Sequence, residues 1–162
     1  MCRPSYVQHP IAALPPSGVT PAETIRFVVV LGVEGGRIAL RYEQEKTRNQ
    51  DYIAIARDAL VEIELQGEQL YFSKDADGVT TKDALGAFYG GLEYDGYEEK
   101  LDRYRIARFT ARYNRGGKYD TTHGFNINAD FLQGYCPEGG PKWIAITIDP
   151  DIKNPPPKLT HY

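Results

Sequence analysis

Apolar side chains recur at every second position through most of this chain, and the fold follows from that spacing. A strand turns successive side chains to opposite faces, so period two buries one face and wets the other. In Val61-Glu62-Ile63-Glu64-Leu65 the alternation is complete. Phe125, Ile127, Ala129 and Phe131 alternate with Asn126, Asn128 and Asp130, and Ile144, Ile146 and Ile148 share a face after Trp143. Residues 104–113 place Ala107, Phe109, Ala111 and Tyr113 on one side, with Arg108 and Arg112 on the other. Residues 25–31 are apolar on both sides, as in a strand covered twice. After the turn at Glu34-Gly35-Gly36 the chain returns with Ile38, Leu40 and Tyr42 aligned. Residues 69–72 follow another turn at Gln66-Gly67-Glu68, and residues 52–56 fit strand or helix equally.

One segment departs from period two. Leu85, Phe88 and Tyr89 stand at helical spacing, with Thr81 as a cap and Gly90 as a stop, which predicts one or two helical turns. About seven or eight short strands and one short helix predict an all-β, two-sheet β-sandwich. It is immunoglobulin-like only loosely, because core cysteines paired around a tryptophan are missing. Proline sets the expected boundaries. Five of the eleven prolines fall in the first 21 residues and four between 150 and 157. Proline donates no ladder hydrogen bond, so residues 1–22 read as an N-terminal arm, 23–150 as the sandwich and 151–162 as a stiff tail. In this reading Asp149-Pro150-Asp151 is where the last strand leaves its sheet. Between its prolines the arm keeps donors, in Tyr6-Val7-Gln8-His9 and Ile11-Ala12-Ala13-Leu14, that suit pairing with a sheet edge.

Composition removes several function classes. With 162 residues the chain can build an adequate core without a metal or disulfide. Lys plus Arg is 19 against 22 Asp plus Glu, so the basic surplus of a nucleic-acid partner is missing. No apolar run is long enough to span a membrane, and residues 1–6 lack the apolar core of a secretory signal. The expected setting is cytoplasmic, with unconventional export left open. Cys2 and Cys136 read as free thiols, with a bridge pinning the arm as the alternative.

Motifs for catalysis are scarce. Serine occurs only at Ser5, Ser17 and Ser73, and no nucleophile elbow is present. Asp75-Ala76-Asp77-Gly78 has the wrong spacing for a calcium loop and reads as an acidic turn. The glycine pairs fit neither a phosphate loop nor a dinucleotide fingerprint. No cofactor is expected. His123, at a strand opening near Asp120, is the one candidate base, and its plainer reading is a histidine at a strand edge. His123, Asn126, Asn128 and Asp130 form a candidate ligand surface, suited to a sugar; the plainer reading of Asn126, Asn128 and Asp130 is a solvated strand face. Twelve tyrosines against six phenylalanines and one tryptophan suit an interface. Tyr6, Val7, Ile11, Leu14, Tyr94, Tyr97 and Tyr119 are the expected assembly contacts.

The stretch Ile146-Thr147-Ile148-Asp149-Pro150-Asp151-Ile152-Lys153-Asn154-Pro155-Pro156-Pro157 is the most distinctive in the chain. With His123-Gly124-Phe125-Asn126-Ile127-Asn128 and Ile25-Arg26-Phe27, it resembles a group of small bacterial proteins. Some are labelled "nucleotide synthetase", and others lie near sandwich families named for an Asp-Pro motif or for inclusion bodies. The resemblance implies a β-sandwich whose relatives include proteins that accumulate as ordered assemblies. The first expectation is therefore a non-enzymatic, self-associating protein whose partner is itself, using the terminal arms and a tyrosine rim. A ligand-binding sandwich, taking carbohydrate or another small ligand, is the second; an enzyme around His123 is the third.

Overall fold

The period-two segments become strands, and their apolar faces meet in one core. The computed structural model describes residues 8–44, 51–117 and 121–156, which form two packed sheets. One sheet takes the order β3 (Arg37–Gln44), β2 (Glu23–Glu34), β5 (Ala59–Gln66), β9 (Arg103–Ala111), β8 (Tyr89–Glu98). All its neighbours are antiparallel except β2 and β5. The other sheet is built on β10 (Thr122–Cys136), the longest strand. One edge of β10 holds β6 (Leu70–Phe72) and β7 (Val79–Thr81); the other holds β11 (Gly140–Ile148) and β12 (Asp151–Lys153). β1 (His9–Pro10) pairs with β7, and β4 (Tyr52–Ala54) runs parallel to β12.

Phe27, Val29, Val61, Ile63, Leu65, Ala107 and Phe109 of the first sheet pack in one buried cluster with Phe72, Val79, Phe125, Ile127 and Ala129 of the second. The alternation in β5 is explained from both sides. Val61, Ile63 and Leu65 are fully buried, while Glu62 and Glu64 line up across strands with Arg26 and Arg108. Arg108 continues the row to Asp95 at 3.0 Å. The Gly96 amide and the Arg108 guanidinium hold the Asp95 carboxyl below the usual carboxylate range. Such half-exposed ladders add little stability and chiefly fix register.

The two-sheet sandwich matches expectation, with four differences. Twelve strands occur among the described residues, because strands of two or three residues carry no readable period. The short helix expected over 81–89 is absent. Only a turn is present, with the Phe88 and Tyr89 amides donating to Leu85 O, and Tyr89 then opens β8, a ten-residue strand. The chain does not leave its sheet at Asp149-Pro150-Asp151 either. Pro150 interrupts the ladder, its carbonyl accepts from the Phe125 amide, and β12 resumes pairing along β10 with Ile152 fully buried. Last, residues 9–12 of the expected arm lie on the chain's own sheets: β1 joins β7, Ala12 O accepts from the Gly91 and Leu92 amides, and Ile11 enters the core.

Gly90-Gly91 therefore serves an approach rather than a helix end. A Cβ at Gly90 would collide with the carbonyl oxygen of Leu14, and one at Gly91, where φ is 74°, would press on Pro15 at 3.2 Å. Gly90→Ala is expected to lift the arm and destabilise the fold by about 1–3 kcal/mol. Urea denaturation gives the magnitude, and faster limited proteolysis within residues 12–18 shows that the arm is what moved.

Candidate functional site

Four polar side chains meet at one end of the core. His123 lies on the apolar side of β10, opposite Ile152, and is 2% exposed. Its Nδ1 is 2.5 Å from the Tyr89 hydroxyl, and Phe88 and Tyr89 pack against its ring. Asn154, fully buried, donates from Nδ2 to Tyr89 Oη at 3.3 Å and to Arg112 O at 2.7 Å. Its Oδ1 accepts from the Asn114 amide at 2.6 Å, and its carbonyl accepts from Asn114 Nδ2 at 3.0 Å. Tyr89 Oη accepts a hydrogen bond from Asn154 and shares a second hydrogen bond with His123 Nδ1. Burial pushes the Tyr89 phenol far above its ordinary value and keeps it a donor. His123 was read as a candidate base or, more plainly, as a histidine at a strand edge; it is a core side chain bonded to a buried phenol.

The other face of β10 carries a second correction. Asn126, Asn128 and Asp130 are 7%, 7% and 6% exposed rather than solvated. Asn128 Nδ2 donates to Gln8 Oε1 at 2.8 Å and to Asp77 O at 2.7 Å, while Thr80 Oγ1 donates to the same Gln8 oxygen at 2.7 Å. Asp130 accepts from Arg103 Nε at 2.8 Å and from the Lys74 amide at 3.3 Å. Arg103 lies over the Trp143 ring at 4.3 Å and donates to Leu101 O and Asp102 O. Asn128 and Asp130, expected to face a sugar, thus spend their hydrogen bonds on their own chain.

The expected assembly contacts scatter. Ile11 is buried, while Leu14 is 79% and Tyr97 51% exposed. Tyr94 covers Phe72 and accepts from the Gly78 amide at 2.8 Å; burial chiefly raises its pKa. Tyr97 donates to Asp102, which is also ion-paired with Lys74. Those two bonds lower the Asp102 pKa, and the Asp102 contact raises that of Tyr97. Tyr6, Val7 and Tyr119 lie outside the described residues.

A cleft of about 780 Å³ opens beside the buried cluster, lined by Ser17, Asp58, Phe88, Arg112, Tyr113 and Arg115 among others. Arg112 is fixed by the backbone: Nε donates to Ala87 O at 3.0 Å and Nη2 to Ser17 O at 2.5 Å. Asp58 is engaged with the Tyr113 amide at 2.8 Å. Among the described residues neither Arg112 nor Arg115 forms an ion pair. The sequence marked Arg112 only as an outward residue. The signal that points to the cleft is Arg112-Tyr113-Asn114-Arg115, two cations and a ring at a strand end.

Fold and cleft together define a β-sandwich with a cationic, aromatic-walled cleft over a buried polar cluster. Over residues 1–157 the chain matches the family described as predicted novel nucleotide synthetase, and it belongs to that family. The resemblance read from the sequence is in this respect met. No curated protein matches the chain. No helix among the described residues is long and apolar enough to cross a membrane, and no group of three or more His, Cys, Asp or Glu among them is placed to hold a metal ion.

Two substitutions separate the buried groups. Tyr89→Phe removes the hydroxyl that His123 Nδ1 and Asn154 Nδ2 both bond, and is expected to cost about 1–3 kcal/mol in urea unfolding. Arg103→Ala strands the Asp130 carboxylate inside the protein and is expected to cost more, about 3–5 kcal/mol. Calorimetry on both variants checks that order.

Proposed function

We propose that this protein binds a nucleotide-class ligand, with the arginine cleft receiving the phosphates. One observation carries the reading: Arg112 is held in place by two main-chain carbonyls, on a cleft where neither it nor Arg115 is neutralised by a carboxylate among the described residues. Guanidinium groups suit phosphate because their planar forks match two oxygens at once. An arginine already ordered by the backbone loses little further freedom on binding. Phe88 and Tyr113 add flat apolar walls on which a base stacks. The cleft volume is that of a small-molecule site. The family description, predicted novel nucleotide synthetase, favours the same ligand class. Binding is what these side chains support; the buried His123 offers no surface base for a bond-making step.

Arg115 is exposed and makes no side-chain hydrogen bond or ion pair among the described residues, so Arg115→Glu tests the cleft without disturbing the core. Thermal-shift titration and equilibrium dialysis with ATP, GTP, AMP and inorganic pyrophosphate are the measurements. A saturable rise in Tm with a nucleotide is expected for the parent protein. Arg115→Glu is expected to keep the unliganded Tm and lose the rise. No shift with any of the four probes, or an equal shift in the variant, would sink the proposal.

A further inference from the structure

β3 forms an edge of its sheet, and among the described residues only β2 pairs with it. The β2–β3 hairpin also overhangs the core. β5 pairs with β2 only up to Val30, whereas the hairpin ladder runs on to Glu34 opposite Arg37. Ile38, Leu40 and Tyr42 point to the core side of the sheet. Tyr42 stacks on Phe27 at 5.3 Å between centroids, yet Ile38 is 60% and Leu40 36% exposed. Among the described residues this is an open ladder beside an uncovered apolar stripe, a combination that proteins normally blunt or pair.

We infer that a second copy of this chain covers it, by antiparallel pairing of β3 with β3 about a two-fold axis at Leu40. The sequence of the strand selects that register. With Leu40 opposite Leu40 of the second copy, Ile38 faces Tyr42 on the apolar side, and Arg37 faces Glu43 on the other. Both contacts occur twice by symmetry. Moving the centre one residue either way puts like charges opposite each other, Arg41 against Arg41 or Arg41 against Arg37. Centring on Tyr42 instead sets Leu40 against Gln44. Only the Leu40-centred pairing sets all three apolar residues of the stripe against one another and also brings a cation opposite an anion. The main-chain groups of the edge supply the affinity, and the side-chain pairing supplies the register. The inference is independent of the arginine cleft and places self-association on the β3 edge rather than on the arm or on Tyr94 and Tyr97.

The full chain is measured by sedimentation velocity, and a concentration-dependent dimer is expected. Leu40→Lys is expected to be monomeric with unchanged far-ultraviolet circular dichroism. Arg37→Glu and Glu43→Arg are each expected to weaken the dimer about tenfold or more, and an equimolar mixture of the two to recover it, since a mixed pair restores both charge contacts. In a Cys2→Ser, Cys136→Ser background, Leu40→Cys is expected to cross-link to itself on oxidation and Ala39→Cys not to. A parent chain that stays monomeric overturns the inference. So does a dimer that survives Leu40→Lys, or a mixture that does no better than its components.

Discussion

A strand buried on both faces must find partners for every polar side chain it carries, and β10 carries three in a row of alternate positions. An unmet amide or carboxylate inside a protein costs more than a bonded one contributes. Asn128 is met by Gln8 and by the main chain of Asp77, and Asp130 by Arg103 and the Lys74 amide. Those partners come from the N-terminal segment, the loop between β6 and β7, and the start of β9. One strand's polar face thus ties together three segments remote in sequence. Trp143 closes the set by covering the Arg103 guanidinium with its ring.

The core strands were legible because period two is a direct image of burial, and β5 shows it without exception. β10 shows the limit of that reading. Alternation says that two faces differ; it does not say that the polar face is wet. Asn126, Asn128 and Asp130 look like a solvated edge until Gln8 and Arg103, remote in sequence, are folded over them. β8 was lost for a different reason. Leu85, Phe88 and Tyr89 have helical spacing, and Gly90 imitates a helix stop, whereas its bare Cα is needed for the passage of Leu14. Pro150 misled in the same way, since a single missing donor interrupts a ladder without ending it.

The candidate site was less legible than the fold. The family resemblance was readable from its motifs, but the cleft was not. Arg112 and Arg115 acquire meaning only when Ala87 and Ser17, from distant segments, supply the carbonyls that hold Arg112 in place. His123 was singled out for the right reason, as the central histidine, and its burial turned a candidate base into a packing and hydrogen-bonding residue. Chemistry-bearing residue types are visible in a sequence; their solvent exposure depends on contacts made elsewhere.

The pairing of β12 with β4 makes closure of the core depend on residues late in the sequence. Ile152 must reach Ile53 and His123 before that side of the core closes, and Asn154 must arrive before Tyr89 and Asn114 are satisfied. A growing chain therefore holds its first strands with an unfinished core until residue 154 has cleared the ribosome, and contacts so distant in sequence form slowly. Until then the first sheet keeps apolar surface and strand edges that the finished core covers.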